Sequence, residues 1–218
     1  MRILILMVMM GLVSANAAAE EDAVTYASPA AAIKLPEARI NGGKPLMQAL
    51  KERRSSRSFI DKELSDQELS DLLWAAFGIN RADQGKRTAP SAMNMQEIDI
   101  FVAMQKGLYI YQPERNELKM VLKEDIRAIT GKQAFAADAP VNLIFVADHS
   151  KMDKAGEMKE IYAAMDAGYI SQNVYLYCAS QGLATVARGW FDKEALEKAM
   201  KLGDGKSVIL AQTVGYSE

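Results

Sequence analysis

The sequence predicts an α+β domain, in which an antiparallel hairpin sits among helices. Three observations carry this expectation. Strand-like and helix-like segments are mixed along the chain. A hairpin reads out of 98–111, and one helix near 157–181 is apolar on almost every face. Hydrophobic residues make up 50% of the 218 residues and charged ones 25%, enough to bury a core. With 26 basic and 28 acidic residues the net charge is -2, which argues against a general nucleic-acid binder.

The chain opens on Arg2, an apolar run from Ile3 to Val13 and the small-x-small pattern Ala15-Asn16-Ala17. Residues 1–19 therefore read as an export signal, with a run too short to cross a bilayer as a helix. Residues 20–43 are Ala-rich, carry Pro29, Pro36 and Gly42-Gly43, and lack periodicity, which predicts a linker or loose arm. The compact domain, 44–218, is expected to begin at Lys44-Pro45 with a short helix that turns Leu46, Ala49 and Leu50 inward.

Ser65 and Glu68 form a capping box for a helix carrying Leu69, Leu72, Leu73, Ala76 and Phe77, stopped by Gly78. Asn80–Ser91 is expected to be a loop. Ile98–Met104 and Leu108–Tyr111 are strands about the turn Gln105-Lys106-Gly107, and Glu117–Leu122 alternates for part of its length. A polar helix is expected over Lys123–Thr130. Pro140–Ala147, branched and aromatic with little alternation, reads as a strand buried on both faces.

The long helix, about Glu157–Gln181, aligns Ile161, Met165, Gly168 and Gln172 on one face and makes other faces apolar too. Such a helix belongs in a core or a subunit interface. Gly182 ends it, and Ala184–Ala187 (strand), Lys193–Lys201 (charged helix) and Ser207–Gly215 (strand) follow.

Cys178 is the only cysteine, so no internal disulfide forms, and its apolar surroundings mark it as a small buried hydrophobe. His149 is the only histidine, read as a surface loop residue; His-based zinc sites are thereby removed. Three segments have chemistry to offer. Arg53-Arg54-Ser55-Ser56-Arg57 is the densest basic cluster, suited to phosphate or simply to solvent. Asn94 and Gln96 in Pro90–Gln96 present amide edges that can read a planar heterocycle. Gly182–Gly189 is a strand bracketed by glycines, suited to close approach of backbone to a ligand or to a tight turn.

In order, RRSSRSF, PSAMNMQ, MDAGYISQNVYLYCASQGLAT, RGWFD and the closing VGY resemble the FMN-dependent nitroreductase family, over about Pro45–Tyr216. GLYIYQPERNELKMVL and TGKQAFAADAPVNLIFVAD look most like its azoline dehydrogenase branch. The resemblance implies a central, mostly antiparallel sheet surrounded by helices, an FMN cofactor, and a homodimer with interfacial sites. It implies hydride transfer through flavin N5 by a ping-pong route, with NAD(P)H as the expected donor and a small-molecule acceptor.

Residue by residue, the resemblance assigns Arg53 and Ser55, helped by Arg54, to the FMN phosphate, and Arg57 to the pyrimidine ring. Ser91 and Asn94 match positions that reach the flavin of the other subunit. Ala187, Arg188 and Gly189 match backbone over the ring, and Gln133 a polar position near the ribityl chain. No side chain stands out as acid or base, which suits chemistry carried by a cofactor. Family members usually continue to a further basic phosphate clamp, whereas this sequence ends at Gly215-Tyr216-Ser217-Glu218, so more weight is expected on Arg53, Arg54 and Arg57. The alternatives are a dehydrogenase of a small or peptidic substrate, or a non-catalytic flavin-binding or ligand-binding protein of the same fold.

Overall fold

The computed structural model describes residues 32–217; the expected export signal and the first part of the expected linker lie outside the described residues. Seven strands form one sheet in the order β1-β6-β5-β4-β7-β9-β8, and every neighbouring pair is antiparallel. The strands are β1 (Ala32–Lys34), β4 (Ile98–Met104), β5 (Gly107–Gln112), β6 (Glu117–Leu122), β7 (Val141–Asp148), β8 (Ala184–Arg188) and β9 (Lys206–Gly215). β2 (Ile79–Arg81) and β3 (Lys86–Arg87) make a small separate hairpin inside the segment expected to be a plain loop.

Inside the sheet, between β4 and β9, β7 is buried along nearly its whole length, as its branched and aromatic run requires. On one face lie α2 (Asp66–Phe77) and α4 (Lys159–Gln181), packed on each other and on the sheet through Leu72, Leu73, Ala167, Ile170 and Val174. The other face carries α5 (Lys193–Ala199), with Leu196 and Met200 against Phe101 and Ile144. α1 (Leu46–Glu52) lies along α4, and α3 (Phe135–Asp138) precedes β7. The capping box of α2 is complete, with Ser65 Oγ accepting from Glu68 N–H and the Glu68 carboxylate accepting from Ser65 N–H at 2.8 Å.

Three expectations are corrected. The arm is not loose from Ala32 onward: β1 pairs with β6, Leu35 is buried, and Arg39 bonds Asp71. A three-residue edge strand is held by backbone pairing, which leaves no periodicity to read. α1 buries only Ala49; Leu46 and Leu50 face outward, because the helix touches α4 along one narrow line. In place of a helix over Lys123–Thr130 there is one 3-10 turn, Arg127–Ile129, after Asp125 caps Arg127 N–H at 3.0 Å.

α4 has two apolar faces. Ala163, Asp166, Ala167, Ile170, Val174 and Cys178 face the core, while Ile161, Met165 and Tyr169, 45 to 52% exposed, form an outward stripe. The face aligned from the sequence through Ile161 and Met165 is therefore the outward one.

Candidate functional site

Beyond the C-terminus of α1 the chain runs extended through Arg53–Arg57 beside β8, with Ser56 N–H donating to Thr185 O at 2.9 Å. Tyr175 of α4 joins the two segments. Its hydroxyl lies 2.8 Å from Ser55 Oγ and accepts from Ala187 N–H at 2.9 Å, and the Arg53 guanidinium stands 5.2 Å over its ring. Tyr175 thus brings together Arg53, Ser55 and Ala187, which lie far apart in sequence. In the sequence Tyr175 is only one more residue of an apolar helix.

Beside this junction is a cavity of about 510 Å³ lined by Lys44, Lys51, Arg53, Arg54, Ser56 and Thr185, among others. Lys44 is balanced by Glu52 at 2.6 Å, so the excess positive charge comes from Lys51 and the two arginines. Such a cavity suits a phosphate group. Arg57 is exposed.

Ala187 N–H donates to the Tyr175 hydroxyl in this structure. Gly189, past the end of β8, is exposed, and a Cβ there would meet nothing within 4 Å. The Arg188 side chain turns inward. Its guanidinium donates to Thr130 O at 2.7 Å, Asn142 Oδ1 at 2.7 Å, Thr213 Oγ1 at 2.8 Å and Thr130 Oγ1 at 3.2 Å. Desolvation pushes this guanidinium down to about 10, still fully charged at neutral pH. Gly131 is required here, since a Cβ would lie 1.8 Å from Arg188 Nη1. Gln133 Oε1, beside the same glycine, is buried without a hydrogen-bond partner among the described residues. An orphaned acceptor asks for a donor, such as a ligand hydroxyl.

Ser91 and Asn94 stand elsewhere, in the loop that leads into β4. Met93, Asn94 and Gln96 all have φ near +50°, a conformation that non-glycine residues rarely adopt. The loop is held by Ala92 N–H donating to Asp166 Oδ2 at 2.7 Å, by Gln96 N–H to Ser91 Oγ at 3.0 Å, and by Gln96 Nε2 to Asn94 Oδ1 at 3.2 Å. Glu97 follows it, fully buried, and no donor among the described residues reaches either carboxylate oxygen. Desolvation, with Asp166 beside it, raises the Glu97 carboxyl to about 7, and Lys151 opposes the shift.

Cys178 is buried and its thiol is pushed up by desolvation, as a non-reactive core residue. His149 is half-buried rather than a free surface group, with Nε2 2.8 Å from Ser207 Oγ. No group of metal-ligating side chains gathers among the described residues.

An antiparallel sheet wrapped by helices, with a basic cavity beside its edge strand, defines an α+β protein whose sheet margin offers a place suited to an anionic group. Residues 50–216 match the Nitroreductase family, and the chain belongs to that family, whose members are flavin-using oxidoreductases. A nitroreductase of Methanocaldococcus jannaschii is 33% identical over 168 residues, spanning 72% of this chain and 84% of that one. The crystal structure of a nitroreductase from Ralstonia eutropha superposes with a TM-score of 0.82 at 42% identity, covering 86% and 90% of the two chains. A chain of the Escherichia coli microcin synthetase McbBCD complex, solved with truncated pro-MccB17 bound, shares the fold with a TM-score of 0.67. It is 20% identical, over 95% of this chain and 85% of that one.

Proposed function

We propose that the protein is an exported, homodimeric FMN oxidoreductase in which donor and acceptor use one site in turn. The observation that carries this reading is the junction at Tyr175, where the basic segment 53–57 and the strand end 187–189 meet beside a cationic cavity. Arg53, Arg54 and Ser55 would hold the phosphate, Arg57 would face the pyrimidine side, and Gln133 would take a hydroxyl of the ribityl chain. Backbone at Arg188 and Gly189 would border the ring. When bound, the flavin supplies reversible acceptance of a hydride. The chain itself supplies orientation, and Arg57 supplies positive charge where negative charge builds.

Ser91 and Asn94 lie in a different loop from this junction, which suits a site completed by a second copy. The outward stripe Ile161, Met165 and Tyr169 on α4 supplies an apolar surface for that copy. The acceptor is a small molecule and NAD(P)H is the first donor to try. Because NAD(P)H is scarce outside the cytoplasm, export favours a second reading, dehydrogenation of a small or peptidic substrate. The fold shared with the microcin synthetase chain, solved with a peptide bound, favours it too.

The test begins with the absorbance spectrum of protein purified without added cofactor, followed by FMN titration. Flavin bands near stoichiometry support the reading, and a colourless protein that ignores added FMN refutes it. Anaerobic mixing with NAD(P)H then separates a reductase, which bleaches the flavin, from a dehydrogenase, which does not. Arg57→Ala is expected to weaken FMN binding about tenfold or lower its reduction potential; unchanged values for both remove its role.

A further inference from the structure

Glu97 is a fully buried acid whose oxygens meet no donor, and its neighbour on α4 is another buried acid, Asp166. Two ionised carboxylates are acceptors only and cannot bond each other; a single proton between them turns repulsion into a hydrogen bond. Asp166 spends its Oδ2 on Ala92 N–H, the bond that anchors the loop carrying Ser91 and Asn94. That loop passes through three positive-φ residues before it reaches Glu97, so it stores strain that an anchor must hold.

We propose that Glu97 and Asp166 are a proton-sharing pair of positioning residues, which holds the Ser91–Gln96 loop in its site-forming conformation while the proton is present and releases it when the proton leaves. The proposal rests on the reading that Ser91 and Asn94 face a bound flavin. It names a device that reading does not contain: flavin affinity set by a buried acid pair.

The charged groups on the surrounding elements are otherwise occupied. Lys151 binds Asp99 at 3.1 Å and, with Lys206 bound to the same Asp99 at 3.2 Å, belongs to a surface network that includes Asp148. His149 contacts Ser207 and lies 3.6 Å from Glu160. Tyr162 lies one turn before Asp166 on α4. Lys151 acts on Glu97 and favours the ionised form.

The experiment is amide hydrogen exchange on the full chain without cofactor, at about pH 6 and about pH 8.5, corrected for intrinsic rates, beside FMN titration at the same two values. Exchange at Ala92–Gln96 is expected to be about tenfold faster at the higher pH, and FMN binding about tenfold weaker, as the competent population falls. Glu97→Gln, whose amide donates to Asp166 at any pH, is expected to hold both quantities at the low-pH values of the natural chain. Histidine titrates in the same interval, so His149→Gln serves as control and is expected to keep the pH response.

Exchange that ignores pH in the natural chain overturns the proposal even if Glu97→Gln fails to fold. A response that survives in Glu97→Gln, or vanishes in His149→Gln, overturns it as well. If the loop responds to pH but FMN binds at neither value, the cofactor reading falls and the pair stands. If FMN binds equally at both and exchange is flat, the pair falls and the cofactor reading stands.

Discussion

Two buried charges in this domain are handled in opposite ways. Arg188, 3% exposed, is surrounded by four acceptor contacts from Thr130, Asn142 and Thr213. Glu97, fully buried, has no donor among the described residues and stands beside another acid. In the first case fixed dipoles replace water, and the charge stays on at any ordinary pH. In the second the buried group keeps its proton to a higher pH than an exposed acid does. A charge caged by dipoles makes a rigid strut between β7, β8, β9 and the turn at Thr130, whereas an acid kept neutral makes a joint that solution pH can reach.

The contrast can be broken hardest at the cage. Asn142→Leu removes the acceptor shared by Arg188 and Thr213 Oγ1 and leaves the charge under-bonded; a loss of about 3 kcal/mol is expected by chemical denaturation. A loss below about 1 kcal/mol would mean that water replaces the amide. Gly131→Ala forces a methyl into the space of Arg188 Nη1, and about 2 kcal/mol is expected from the same measurement.

At the joint, pH is the probe. The Glu97 carboxyl titrates near 7 in the folded chain and near the ordinary value of 4.5 when unfolded, so between these values the folded state binds more protons. Stability therefore falls as pH rises from about 4.5 to about 7 and levels off above. Glu97→Gln is expected to abolish that slope in melting curves, and an unchanged slope would locate the proton elsewhere. The smallest effect belongs to Tyr175→Phe, which deletes the hydroxyl between Ser55 and Ala187 N–H. About 1 kcal/mol of stability is expected to go, with weaker FMN binding as the sharper readout.

The difference between strut and joint was not legible in the sequence, and the reasons are specific. Helix α2 was readable because its cap, its period and its stop all agree within one short segment. Strand β7 was readable because burial on both faces leaves an unbroken apolar run. The edge strand β1 and the cage around Arg188 depend on partners distant in the chain, and no local pattern announces them. Of the candidate site, Arg53, Ser55 and Ala187 do converge, through a tyrosine whose period along α4 looked merely apolar. Asp166 left one faint sign, an acid inside the apolar run Ala163–Ile170. A charge kept on a buried helix face has a partner, and that partner lay in the strand opening Glu97-Ile98.

Strand β1 pairs with residues whose separation is illustrated by the contact of Lys34 with Arg115, 81 positions later. Loop closure over such a span is entropically costly and gains nothing until β5 and β6 already exist as a platform. Docking of β1 is therefore expected late in folding, with mutations such as Ile33→Ala speeding unfolding and leaving the folding rate nearly unchanged. During synthesis the order in time is inverted relative to the order in sequence: a segment translated before the rest of the sheet waits for about two-fifths of the chain before it has a place to pair.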